Sequence, residues 1–247
     1  MKATMTDRTN LSWLTRRPIA HRGFHDMNSS CWENTLSAFE AAVERGYAIE
    51  CDVQLTADDE VVVFHDTELR RLCGAEGYVW QRSAGELGAM KIGGTDDHVP
   101  TLRQMLDLVD GRVPLVIELK GVPGRDRGLV RRVGNALRGY KGEAAIMSFD
   151  HWLIRDFPTD AAGIPAGLTA WGDKDHELEA HFAMLAYGIS FVSYSVTHLP
   201  NRFTSFVRER LGMPVITWTV RDEPAVERTI AEADQMTFEG FEPPIVA

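Results

Sequence analysis

The feature of this sequence that most limits its fold is an alternation. Short apolar, β-branched runs are separated by longer stretches of helical periodicity almost to the C-terminus. That pattern marks βα units feeding a parallel sheet. Strand-like runs fall at 18–21, 48–53, 114–119, 144–148, 165–169, 189–193, 214–219 and 234–238, with helical stripes at 33–45, 102–109, 127–138, 176–186, 202–211 and 223–232. Eight parallel strands close a (β/α)8 TIM barrel, a fold that normally needs about 250 residues, and the chain has 247. A ninth run, 61–64, follows 48–53 across the polar turn Thr56-Ala57-Asp58-Asp59-Glu60. A gap that short suits a hairpin and is too short for a parallel crossover. Beyond it the periodicity fades among Gly74, Gly77, Gly85, Gly88, Gly93 and Gly94, leaving only a short amphipathic piece near 83–90. The expectation is a single barrel domain over 1–247 with a small inserted segment at about 67–99.

A barrel interior should be apolar, so polar residues at strand ends need a reason. Four ends carry them: His21-Arg22-Gly23, Glu50-Cys51-Asp52, His65-Asp66 and Glu118-Leu119-Lys120. Alternate strand residues point the same way, so Glu50 and Asp52 share a face, as do Glu118 and Lys120. Carboxylates crowded on one face raise each other's pKa or require a cation. Three of them converging from two strands would make an all-oxygen site suited to one hard divalent ion, Mg²⁺ or Ca²⁺, with Mn²⁺ also acceptable. The competing reading is an internal salt-bridge network in which Arg22 and Lys120 neutralise the acids. Singly, His21 and His65 read as hydrogen-bonded structural histidines; beside a carboxylate trio they read as a proton donor and acceptor titrating near neutrality.

In order and spacing these residues resemble the glycerophosphodiester phosphodiesterase family. The likeness runs through His21-Arg22-Gly23, Glu33-Asn34-Thr35, Glu50-x-Asp52, His65-Asp66 and Glu118-x-Lys120, and more weakly through Ser148-Phe149 and Trp218-Thr219-Val220. It implies hydrolysis of a glycerophosphodiester to an alcohol and sn-glycerol 3-phosphate. Glu50, Asp52 and Glu118 match its metal ligands, His21 and His65 its acid–base pair, and Arg22 and Lys120 its phosphate-holding residues. Two alternatives stand beside this reading: a lysophospholipase D-like phosphodiesterase, and a barrel that binds a polyol phosphate without turnover.

Other positions allow two readings each. Asp66 orients His65 or caps a turn; Glu33 and Asn34 cap the first helix or reach the site. Trp218 walls the alcohol pocket or packs the core, and Trp171 is a weaker version of the same idea. The remaining histidines, His25 among them, are read as solvated or locally bonded. Trp32 stands where a proline commonly precedes Glu-Asn-Thr, which reshapes a loop beside the site. Where relatives tend to read Asp-Gly-Ile-x-Thr-Asp, this chain has Asp234-Gln235-Met236-Thr237-Phe238-Glu239, a difference expected to bear on the alcohol side more than on the chemistry.

Composition narrows the partners. With 36 carboxylates against 26 Lys and Arg, net charge -10, the chain would repel a phosphate polymer, so nucleic acid is not expected. Cys31, Cys51 and Cys73 form neither a paired framework nor a Cys-x-x-Cys site and read as reduced thiols. Residues 1–17 hold no apolar run that would serve for secretion, and no later segment approaches the ~20 apolar residues that span a bilayer. A soluble cytoplasmic enzyme acting on a small diester is the expectation, with room for a homo-oligomer.

Overall fold

The computed structural model describes residues 11–245, and the secretion-signal reading of residues 1–10 lies outside them. Nine strands form one sheet: β1 (Ile19–Ala20), β2 (Ala48–Leu55), β3 (Val61–Val63), β4 (Leu115–Leu119), β5 (Ala144–Ser148), β6 (Ala166–Ala170), β7 (Phe191–Ser195), β8 (Val215–Val220) and β9 (Gln235–Phe238). Their order is β1-β9-β8-β7-β6-β5-β4-β2-β3, and β1 also pairs with β2. That extra pairing closes eight parallel strands into a (β/α)8 barrel. β3 hangs outside the ring, antiparallel to the end of β2, with Val53 opposite Val63. The sixth parallel strand lies two residues later than its run suggested. A two-residue slip keeps the same side chains facing inward, so the site is unaffected.

The first helix, α1 (Leu36–Arg45), begins later than its apolar stripe. Thr35 is its N-cap, accepting from the Ala38 N–H, and Gly46 ends it at φ 75°. Glu33 and Asn34 therefore lie before the cap and are not the capping residues. In the segment after β3 the chain forms two short helices, α2 (Arg70–Cys73) and α3 (Ala84–Gly88). Around the barrel follow α4 (Leu102–Val109), α5 (Leu129–Arg138), α6 (His151–Asp160), α7 (Asp175–Met184), α8 (Arg202–Glu209) and α9 (Glu223–Glu232). The periodicity does not announce α6: its apolar stripe is only Leu153, Ile154 and Phe157, and Pro158 interrupts it.

The segment after β3 packs around a core of its own. Val62, Phe64, Leu69, Leu72, Val79, Leu87, Ile92 and Val99 form a cluster apart from the main core, with Trp32 against it. The Trp32 ring occupies the space beside Gly93, where a Cβ would lie 2.0 Å from the indole. The tryptophan that replaces the usual proline thus ties the first βα loop to the insertion.

Inside the barrel, Leu11, Trp13 and Leu14 pack with Ile19, Ala48, Val116, Ala145, Met147, Phe191 and Ile216. Together they fill the end from which the strands start. Gly167 is required there, because a Cβ on it would sit 2.4 Å from the Phe191 ring. Phe191 is fully buried and has nowhere to move. Gly167→Ala is therefore expected to cost about 1–3 kcal/mol and lower Tm by roughly 3–10 °C in a thermal melt. An unchanged Tm would contradict this packing.

Candidate active site

Above the Phe191 layer the inward residues change character. His21, Arg22, Glu50, Asp52, His65, Glu118, Lys120 and Trp218 all line one cavity of about 330 Å³ at the C-terminal ends of the strands. Trp171 is not among its lining residues; it is 55% exposed and leans on the His198 ring.

Glu50, Asp52 and Glu118 are buried, each with an oxygen within 4.8 Å of the others. Register explains it, because Asp52 pairs with Glu118 across β2 and β4, and Glu50 is two residues before Asp52. Each carboxylate has different company. Asp52 accepts from Asn34 Nδ2 at 2.9 Å and has Arg22 Nε at 3.3 Å and Lys120 Nζ at 3.6 Å. Glu118 accepts from Lys120 Nζ at 2.7 Å. The Arg22 backbone N–H donates to Glu50 at 2.9 Å.

Arg22 adopts φ 55° and the next residue, Gly23, φ 82°. A Cβ at Gly23 would meet the Ala38 backbone at 2.9 Å. This backbone turn, unfavourable for an arginine, is what aims the Arg22 N–H at Glu50 and lets α1 approach.

Burial, then the neighbouring Asp52 and Glu118, push the Glu50 carboxyl well above the usual range. Burial raises Glu118 to about 7, against the pull of Lys120. Burial would raise Asp52 as well, but Lys120 and Arg22 outweigh it and hold this carboxyl low. Lys120, together with an Arg22 that is shared with Glu33, does not fully compensate the trio, and Glu50 and Glu118 respond by holding their protons to higher pH. An oxygen-only, under-compensated pocket fits a hard divalent cation.

The two histidines flank this cluster in matching surroundings. His65 Nδ1 donates to Asp66 Oδ1 at 2.7 Å, and Arg71 grips Asp66 through Nε and Nη2. Asp66 thus orients His65. Across the cavity His21 Nδ1 donates to Glu239 Oε2 at 2.5 Å, and Arg221 Nε donates to Glu239 Oε1 at 2.7 Å. Burial lowers both histidines below their ordinary value, opposed by the Glu239 bond at His21 and by Asp52 at His65.

Glu239 was not singled out from sequence, and for Glu33 and Asn34, read either as caps or as reaching the site, the structure decides for the site. Glu33 accepts from Arg22 at 2.7 Å and from Arg71 through both guanidinium nitrogens at 2.7 Å, joining the cluster to the His65 side. Asn34 reaches Asp52. Glu239 lies one residue past β9, and its Thr-x-Glu spacing from Thr237 was the available signal. The departure in the last strand, expected to bear on the alcohol side, thus lies against His21. His25, assigned no role, lies with Nε2 3.6 Å from Glu239 Oε2.

The opposite wall is aromatic and hydroxylic. Phe149 and Trp218 meet edge to face at 5.1 Å. Thr169, Ser193 and Thr237 put buried hydroxyls into the same cavity without a partner among the described residues, and the Trp218 indole N–H is likewise unpaired there. Buried polar atoms like these are normally satisfied by water or a polar ligand. The site as a whole can bind an anion against Arg22 and Lys120 and exchange protons with it from two sides.

Comparison with known proteins gives a consistent result. The sequence model of the glycerophosphoryl diester phosphodiesterase family matches residues 21–241. A glycerophosphodiester phosphodiesterase of Caldanaerobacter subterraneus subsp. tengcongensis is 28% identical over 222 residues, 86% of this chain and 88% of its own. A lysophospholipase D of Rattus norvegicus is 31% identical over 140 residues, 51% of this chain and 42% of that one. Among solved structures, a phosphodiesterase of Oleispira antarctica in complex with the product sn-glycerol-3-phosphate shares the fold at a TM-score of 0.79 and 20% identity, covering 92% of this chain and 94% of that one. Among the described residues no helix is long and apolar enough to cross a membrane.

Proposed function

We propose, since the chain belongs to the glycerophosphoryl diester phosphodiesterase family, that it hydrolyses small glycerophosphodiesters to an alcohol and sn-glycerol 3-phosphate with the help of one divalent cation. The observation that carries this reading is the cavity in which three buried carboxylates, the side chains of Arg22 and Lys120, and two carboxylate-bonded histidines face one another.

Glu50, Asp52 and Glu118 would hold Mg²⁺ or Ca²⁺, which when bound supplies positive charge to the nonbridging phosphate oxygens as negative charge builds on them. Arg22 and Lys120 bind the same anion and fix its position. With Nδ1 of each histidine donating to a carboxylate, Nε2 is the nitrogen left to meet the substrate. One histidine takes the proton from the attacking hydroxyl. The other, entering the cycle as the imidazolium with its second proton on Nε2, gives that proton to the departing alcohol oxygen as the P–O bond breaks. The neighbouring hydroxyl of the glycerol moiety is the attacking group, because it is already in place and has a high effective concentration. Its attack forms a cyclic glycerol phosphate; water, deprotonated by the histidine that served as acid, then opens the ring, and the other histidine returns its proton to the ring oxygen. Phe149 and Trp218 wall the alcohol side. The enzyme is assigned to the cytosol, in keeping with three unpaired cysteines.

The rat relative's name makes lysophospholipid the competing substrate, but a cavity of this volume suits a short diester whose two arms both fit inside. The test is release of sn-glycerol 3-phosphate from glycerophosphocholine, glycerophosphoethanolamine and glycerophosphoglycerol, with Mg²⁺, Ca²⁺, Mn²⁺ or EDTA, beside choline release from lysophosphatidylcholine. Metal-dependent turnover of the small diesters, at least about 10-fold faster than of the lysolipid, is expected. No release from any diester with any metal would end the hydrolytic reading, and preference for the lysolipid would replace the substrate.

A further inference from the structure

We infer that Glu239 is a positioning residue for the reaction, holding His21 in the single tautomer and ring orientation that turn His21 Nε2 toward the cavity; this rests on the proposed hydrolysis. Glu239 directly follows β9, 218 residues from its partner in sequence, and its carboxylate is buried. It is held from two sides. Arg221 Nε fixes Oε1 at 2.7 Å, so Oε2 is turned to His21 Nδ1 at 2.5 Å. His25 stands behind it: the Met27 backbone N–H donates to His25 Nδ1 at 3.1 Å, which leaves the His25 proton on Nε2, 3.6 Å from the same Oε2.

A carboxylate offers no proton, so a nitrogen bonded to it must carry one. His21 therefore has its hydrogen on Nδ1 and its lone pair on Nε2. Nε2 lies 3.9 Å from Glu50 Oε2, at the edge of the acidic cluster. Without Glu239 the ring is free to turn and the two tautomers mix. The carboxylate also stabilises the imidazolium that forms each time Nε2 takes up a proton. The arrangement repeats on the far side as His65, Asp66 and Arg71. There the carboxylate is the next residue in the chain, whereas His21 depends on one delivered by closure of the barrel.

The test uses Glu239→Ala, Glu239→Gln and Glu239→Asp in the full chain. On glycerophosphoethanolamine, Glu239→Ala should lower kcat roughly 10²–10⁴-fold with KM within about threefold. Glu239→Asp should recover at least about tenfold over alanine. Independently of turnover, ¹⁵N spectra of histidine-labelled protein should show His21 as the Nδ1–H tautomer in the parent and as a mixture in Glu239→Ala. Should the alanine variant not fold, Glu239→Gln is near-isosteric and carries both readouts, with a smaller kcat loss and a broadened His21 tautomer signal. A kcat within threefold of the parent, or an unchanged tautomer, would overturn the inference. If the parent turns over no diester, the hydrolytic reading fails, while the ¹⁵N spectra still decide whether Glu239 sets the His21 tautomer.

Discussion

Replacing either histidine of the pair by alanine is expected to lower kcat on glycerophosphoethanolamine by about 10²–10⁴-fold, the usual worth of a positioned acid or base. The two variants should part on a diester that does not need its leaving group protonated. With a nitrophenol as the departing alcohol, the variant lacking the acid should recover much of its loss, while the variant lacking the base should not. Comparing His21→Ala and His65→Ala on both substrates therefore assigns the first proton transfer to one ring and the second to the other. Burial lowers both rings and each keeps Nδ1 on a carboxylate, so either can start as the base at Nε2 while the other carries the extra proton, and the leaving-group comparison orders them. Equal losses on both substrates would refute separate acid and base roles. Undiminished activity in either variant would remove that histidine from the mechanism.

The second large effect concerns Glu50, where stability and activity should move in opposite directions. In the cation-free protein Glu50 is a buried carboxyl beside two other acids, and among the described residues its hydrogen bond comes from the Arg22 backbone N–H, with His21 Nε2 3.9 Å away. Glu50→Gln keeps an oxygen for that N–H and removes the repulsion, so the cation-free variant should melt at or above the parent. The same change removes a ligand, and activity should fall by about 10³-fold or more, since electrostatic stabilisation of this kind is worth several kcal/mol.

Titration sharpens the test. Glu118 rises from an ordinary 4.5 to about 7 in the folded chain, and Glu50 also lies above the usual range. A carboxyl raised on folding binds its proton more tightly in the native state, so it stabilises the fold at low pH. That contribution is lost as pH rises from the unfolded value through the folded one. For Glu118 the loss between pH 4.5 and 7 is on the order of 3 kcal/mol. A divalent ion competes with these protons, so its affinity should climb through the same pH window and the stability loss should vanish when it saturates. At pH 8 and 100 times its Kd the cation should stabilise the parent by about 2.7 kcal/mol, raising Tm by roughly 5–10 °C. Glu50→Gln should show little of that rise. A parent whose Tm ignores Mg²⁺, Ca²⁺ and Mn²⁺ at pH 8 would show that the trio binds none of them usefully.

What could be read from sequence, and what could not, follows from distance along the chain. Glu50 and Asp52, or Glu118 and Lys120, are two residues apart on strands, and strand geometry alone places them on one face. His65 and Asp66 are adjacent, so their partnership was open to inspection though not decided. Glu239 meets His21 only because the eighth parallel strand returns beside the first, and no local rule links residues 218 apart. Glu33 and Asn34 were obscured for a different reason. Their place just before an amphipathic helix is where capping residues belong, yet Thr35 already caps it, leaving both side chains free to turn to Arg22 and Asp52. The apolar interior shows the reverse economy: a lone glycine in a strand run is silent until Phe191 is seen to fill the space across from Gly167.

With Phe191 and Trp13 packed into the barrel's starting end, the cavity lies at the opposite end, among the loops that follow the strands. For the proposed hydrolysis, substrate and both products would then use the same end of the barrel, and added sn-glycerol 3-phosphate is expected to compete with the diester in a steady-state inhibition assay.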